Sequence, residues 1–149
     1  MAKIIEIEQI TLLNDRVRAE VRVASSCTHT TASLLEQACK HWPQLLEHTC
    51  ANKVGPRFGD VAFSTSVPHL LEHIMIEHQA RAARKKAATS KGASAEDLPT
   101  FLGSTHWLEG GHKRAQIEVS YRSDIDALEA LRSGVDFLNS CKAEWFSSN

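Results

Sequence analysis

The chain has 149 residues, 42% of them hydrophobic and 23% charged, with a formal net charge of −1. That size and balance suit one soluble domain with a proper core, so residues 1–149 are expected to fold as a single unit. Near-neutrality argues against a nucleic-acid partner, and no apolar run approaches the roughly 20 residues that a membrane span needs.

Residues 3–13 carry Ile4, Ile5, Ile7, Ile10 and Leu12 and predict a first strand, with no secretory leader ahead of it. Asn14-Asp15 is a turn signal, and residues 16–24 then alternate cleanly. Val17, Ala19, Val21 and Val23 share one face, while Arg16, Arg18, Glu20 and Arg22 share the other. The pair predicts a hairpin with one face on the core and a solvated charged face. Ser33 and Glu36 have capping-box spacing ahead of Leu34, Leu35, Ala38 and Trp42, predicting a helix. Pro43 stops it and opens a second short helix through His48.

After the turn-rich residues 51–60, Ser64, Thr65 or Ser66 is placed to cap a long helix with Pro68 just inside its start. That helix is expected to reach about residue 88, although residues 81–99 as a whole have the texture of a flexible basic loop or insertion. Residues 101–108 predict a strand, 109–112 a turn and 115–121 another strand. Ser123, with Asp124 and Asp126 in the first turn, starts a final helix whose stripe is Leu128, Leu131, Val135 and Leu138. No regular βαβ repeat is present. The expected class is α+β, an antiparallel or mixed sheet with helices packed mainly on one face.

The chemistry-bearing stretch is Pro68-His69-Leu70-Leu71-Glu72-His73-Ile74-Met75-Ile76-Glu77. On a helix, His69 and His73 stack one turn apart and can grip one metal ion. Glu72 falls beside them, placed to work on a metal-activated water without being a ligand. This is the H-x-x-E-H order of the inverzincins, and neutral imidazole suits Zn²⁺. A core helix with its polar residues turned outward would give the same short match. The cysteines at 27, 39, 50 and 141 form no C-x-x-C pair and are read as reduced, packed thiols, which points to a cytoplasmic setting. His29, His41 and His48 carry no partner pattern and are read as structural.

Two segments resemble the N-terminal domain of cyanophycin synthetases. Pro43-Gln44-Leu45-Leu46-Glu47-His48-Thr49-Cys50 is similar to that family's P-G-L-x-E-H-x-C, and residues 69–79 are similar to its H-V-x-E-H-x-A-L-E-L-Q helix. The order of the late strand and last helix fits as well. In that family the domain is associated with holding an arginine–aspartate polymer, and in some members it carries a metallopeptidase-like hydrolytic site on this helix. The ATP-dependent ligase domains of the large synthetases have no counterpart in these 149 residues, nor is there a glycine-rich phosphate loop, so synthetase activity is not expected.

The resemblance implies His69 and His73 as ligands, Glu72 as general base and Glu77 as a residue orienting a ligand from behind. The family's glutamate directly before the late-strand tyrosine is Ser120 here. Glu118, two residues earlier on the same strand face, is therefore the leading third ligand, with His106, His112, Glu109 and Asp60 in reserve. His106 and His112 are placed to overhang the site and bind substrate.

The expected function is zinc-dependent hydrolysis of peptide or amide-linked polymer bonds, with one zinc per chain. The alternative is a non-catalytic module that binds a polymer or a partner. The face of residues 16–22 or the stripe of residues 128–138 would then serve as an interface, and a homo-oligomer is left open.

Overall fold

A computed structural model describes residues 3–50, 54–89, 98–110 and 113–146. Its centre is a four-stranded antiparallel sheet of β1 (Ile5–Leu12), β2 (Arg16–Val23), β3 (Gly103–Trp107) and β4 (Arg114–Ser120), in the order β1-β2-β4-β3. The expected hairpin is β1–β2, closed where the Leu13 amide donates to the Arg16 carbonyl at 2.8 Å, with a register shift between Ile7 and Gln9. Three α-helices accompany the sheet among the described residues: α1 (Ala32–His41), α2 (Val67–Thr89) and α3 (Asp124–Ser140).

The alternation along β2 and β4 decides what each face of the sheet does. Val17 pairs with Val119, Ala19 with Ile117 and Val21 with Ala115, and all six are fully buried beneath α2 and α3. One residue out of phase, Arg18 pairs with Glu118 and Arg16 with Ser120, on the face away from the helices. The fold class is thus α+β, with an antiparallel sheet and the two longest helices on one face.

The first half of α2 is the most deeply buried part of the helix, and residues 70–75 are buried without a break. β3 and β4 lie on one side of it and α3 on another. Burying Leu70, Leu71, Ile74 and Met75 contributes about 1.5–3 kcal/mol each. Gly134 sets the approach of α3, because a Cβ there would lie 2.5 Å from Leu71 Cδ1. The buried stripe of α3 therefore centres on Ala127, Ala130, Leu131, Gly134, Phe137 and Leu138, leaving Leu128 and Val135 only half-buried.

Several boundaries differ from the sequence expectation. The cap of α1 is Thr31, whose hydroxyl accepts from the Leu34 amide, so the Ser33 box lies inside the helix. Ser66 caps α2 through the His69 amide at 3.1 Å, as the pattern suggested. Residues 45–47 make only one 3-10 turn, so the chain is extended by His48. Of residues 81–99, positions 81–89 continue α2, and 90–97 lie outside the described residues. The alanine-, arginine- and lysine-rich sequence favours helix. Arg81 and Arg84 also anchor it, donating to the His41 carbonyl and the Glu77 carboxylate at 2.7 Å each. No helix among the described residues is long and apolar enough to cross a membrane.

A buried cysteine–histidine cluster

Enclosure of α2 turns the motif inward. His73 is 2% exposed and Glu72 4%, so the outward-facing core-helix alternative does not describe this chain. His69 and His73 lie edge to face with ring centroids 4.9 Å apart, the one-turn stacking expected of i and i+4. Phe58 forms a wall against both, parallel to His73 at 4.0 Å and edge-on to His69 at 5.1 Å.

The third donor is Cys50, a residue whose spacing from the other cysteines predicts only a packed thiol. Its Sγ lies 3.5 Å from His69 Nε2, and ligand atoms of Cys50, His69 and His73 all fall within 4.8 Å of one another. The segment is held by a small ladder: Phe58 donates to the His48 carbonyl at 2.8 Å, Cys50 donates to the Pro56 carbonyl at 3.0 Å, and Thr49 bridges to Arg57. In extended backbone, residues at i and i+2 share a side. His48 and Cys50 therefore lie on one side of this segment, half-buried and buried respectively, while Thr49 between them is exposed.

Three donors of this kind suit zinc. Bond lengths of about 2.3 Å to sulfur and about 2.1 Å to nitrogen put tetrahedral S and N ligands roughly 3.6 Å apart, close to the Cys50–His69 separation. Thr65 Oγ1 lies 2.8 Å from His69 Nδ1, which leaves Nε2 to face the sulfur. His73 Nε2 is buried and has no hydrogen-bond partner among the described residues. A buried polar atom without a partner is costly, and a bound cation would satisfy this one.

The ionisation states favour ligation. Burial, followed by the neighbouring His69 and His48, pushes the pKa of His73 down to about 2, and burial lowers that of His69. Both imidazoles are therefore neutral, as metal ligands must be. Burial raises Glu72 to about 7, against the hydrogen bond that Thr105 donates to Oε1 at 2.7 Å. Its other oxygen lies 3.6 Å from His73 Nε2. Gly103 makes room for this carboxyl, since a Cβ there would meet Glu72 Cγ and Oε2 at 2.8 Å. A pocket of about 830 Å³ opens beside the cluster, bounded by His48, Glu77, Arg84 and residues 99–105.

The remaining expected residues divide. Glu77 sits behind His73, 2% exposed, 3.0 Å from His48 Nε2 and 2.7 Å from Arg84. Burial pushes its pKa up, but the hydrogen bonds from His48 and Arg84 outweigh this and hold it below the ordinary value. Glu118 does not join the cluster. It lies on the opposite face of the sheet, 3.0 Å from Arg16 and 3.4 Å from Arg18. The phase of β4 points it away, because Ile117 and Val119 take the helix side.

His106 shares that far face, cross-strand from Gln116, and cannot overhang the pocket. His112 lies outside the described residues. Asp60 is exposed and accepts from the Arg57 amide at 2.9 Å, and Glu109 is exposed in the turn after β3. Cys50 and His48 were missed as site residues, although the H-x-C spacing before a turn-rich segment was a signal for both. Comparison of the chain with family models, curated proteins and solved structures gave no match.

Proposed function

We propose that this protein is a zinc-dependent hydrolase of peptide or amide-linked polymer bonds. Cys50, His69 and His73 would hold the metal, and Glu72 would move protons. The observation that carries this reading is the convergence of three donors, Cys50 and His73 buried and His69 half-buried, with a buried carboxyl whose pKa is raised to about 7. Three protein ligands with an open position are the usual pattern of catalytic zinc, which supplies carbonyl polarisation and a water acidic near neutral pH.

Glu72 is matched to proton transfer because it can hold or release a proton in that same range. Thr105 fixes one of its oxygens, leaving Oε2 to take the proton from the attacking water and deliver it to the leaving amine. β3 is an outer strand of the sheet, and residues 99–105 bound the pocket, so an extended chain laid along that edge would pass beside Glu72. The resemblance to the cyanophycin synthetase domain supports an amide-linked polymer over a folded protein as substrate.

The test is zinc content together with hydrolysis of unstructured peptides and of an arginine–aspartate polymer, comparing the native chain with Glu72→Gln. Hydrolysis by the zinc-loaded native chain, lost in Glu72→Gln while zinc is kept, is expected. Zinc uptake without turnover of either substrate would instead make the domain a binding module.

A further inference from the structure

Behind His73 runs a line of contacts that ligation alone does not require. His48 Nδ1 is 3.2 Å from His73 Nδ1, His48 Nε2 is 3.0 Å from Glu77 Oε1, and Arg84 reaches Glu77 Oε2 at 2.7 Å. We propose that His48 is a positioning residue that locks His73 in the tautomer presenting Nε2 to the cluster.

The direction of the line follows from what each atom can offer. Two ring nitrogens 3.2 Å apart make a hydrogen bond only when one carries a proton and the other a lone pair. Arg84 donates to Glu77, and a carboxylate is an acceptor only, so His48 donates its Nε2–H to Glu77 and keeps the proton. When His48 is neutral, a proton on Nε2 leaves a lone pair on its Nδ1. His73 then has to donate from its own Nδ1, and its Nε2 is left with the lone pair. That Nε2 is the buried atom with no partner among the described residues.

The neighbouring ligand is arranged the same way. His69 meets an outer oxygen, Thr65 Oγ1, at its Nδ1 and turns Nε2 toward Cys50. In both histidines an outer partner takes up Nδ1 and leaves Nε2 inward. The difference is reach: His69 is fixed by a hydroxyl one helical turn away, whereas His73 is fixed through His48 by a buried carboxylate and a guanidinium. Outer partners of this type orient a ligating imidazole and raise its basicity. The effect on metal affinity rests on the zinc site proposed above; the tautomer of His73 does not.

The experiment has two readouts on the full chain. Ring-nitrogen NMR correlations of the metal-free protein at neutral pH report which nitrogen of His73 is protonated, and chelator competition reports zinc affinity. In the native chain His73 is expected to carry its proton on Nδ1. His48→Asn keeps an amide oxygen near the Nδ1 position and should retain both that tautomer and an affinity within a few-fold. His48→Gln reaches Glu77 but offers no acceptor to His73. It should mix the two tautomers and weaken zinc by roughly 10–100-fold.

A native His73 protonated on Nε2 overturns the proposal, as does a His48→Gln chain with unchanged tautomer and affinity. If the native chain takes up no zinc, the ring assignment still decides the role of His48, and only the metal site fails.

Discussion

The two faces of the sheet carry similar chemical groups to opposite ends. On the outer face, Glu118 meets Arg16 and Arg18, and Glu8 meets Arg22 and Arg114, so each of these carboxylates has cationic partners on neighbouring strands. On the helix face, Glu72 has Thr105 and the rim of a neutral imidazole, and His73 keeps one nitrogen without a partner among the described residues. The outer arrangement neutralises itself close to water, where such pairs contribute roughly 0–1 kcal/mol. The inner one leaves His73 Nε2 without a hydrogen-bond partner among the described residues, beside a buried carboxyl at a pocket. Charged residue types alone do not mark a site; enclosure without complete pairing does.

Removal of a donor from the inner face should produce the largest effect. Cys50→Ala and His69→Ala are expected to lower zinc affinity by more than the roughly 10–100-fold that loss of an outer partner causes. Chelator competition measures this, and zinc binding unchanged in either variant would break the contrast between the faces.

Glu72→Gln comes next, with zinc retained and hydrolysis reduced on the order of 10²–10⁴-fold, as loss of a general acid–base removes. Stopped assays on peptide or polymer check it. A variant as active as the native chain would remove Glu72 from the chemistry.

The inner face should also govern how the metal-free protein responds to acid. The folded pKa of His73 is about 2 against an ordinary 6.5, so its stabilising contribution is present above 6.5 and is lost as pH falls. Glu72 is raised from 4.5 to about 7, so its contribution is present below 4.5 and is lost as pH rises through 7. The two oppose each other between 4.5 and 6.5; below 4.5 His73 still adds a slope, and so does Glu77, whose pKa is held below the ordinary value. Urea midpoints across this range should decline in acid for the metal-free native chain, begin to decline at higher pH in Glu72→Gln, and decline less steeply in His73→Gln. An acid profile identical in all three would contradict the buried, neutral His73.

Smaller effects separate the faces further. Gly103→Ala places a Cβ against Glu72 at 2.8 Å, and overpacking of this kind costs about 1–3 kcal/mol. Thermal denaturation and the assay above should show reduced stability and activity together. Glu118→Ala should cost at most about 1 kcal/mol and leave zinc affinity unchanged, because its partners are half-exposed arginines on the far face.

Much of the fold was legible because alternation and helical spacing are local. The β1–β2 hairpin, the Ser66 and Ser123 caps and the stack of His69 on His73 follow from neighbours within a few residues. The third donor was not local. Glu118 alternates with Ile117 and Val119, and because those two are covered by the helices, strand phase sends it to the other face. Cys50 enters through a loop ladder whose hydrogen bonds to Pro56 and Phe58 no periodicity announces. His48 looked structural because its partners, Glu77 and His73, lie 29 and 25 residues away.

The most direct measurement is the absorption of the cobalt-substituted protein, because only a thiolate ligand gives sulfur-to-cobalt charge transfer. One cobalt per chain is expected, with a charge-transfer band that Cys50→Ser abolishes and Glu118→Ala leaves intact. A cobalt spectrum without that band, or one that depends on Glu118 and not on Cys50, would contradict the assignment of Cys50, His69 and His73 as the metal site.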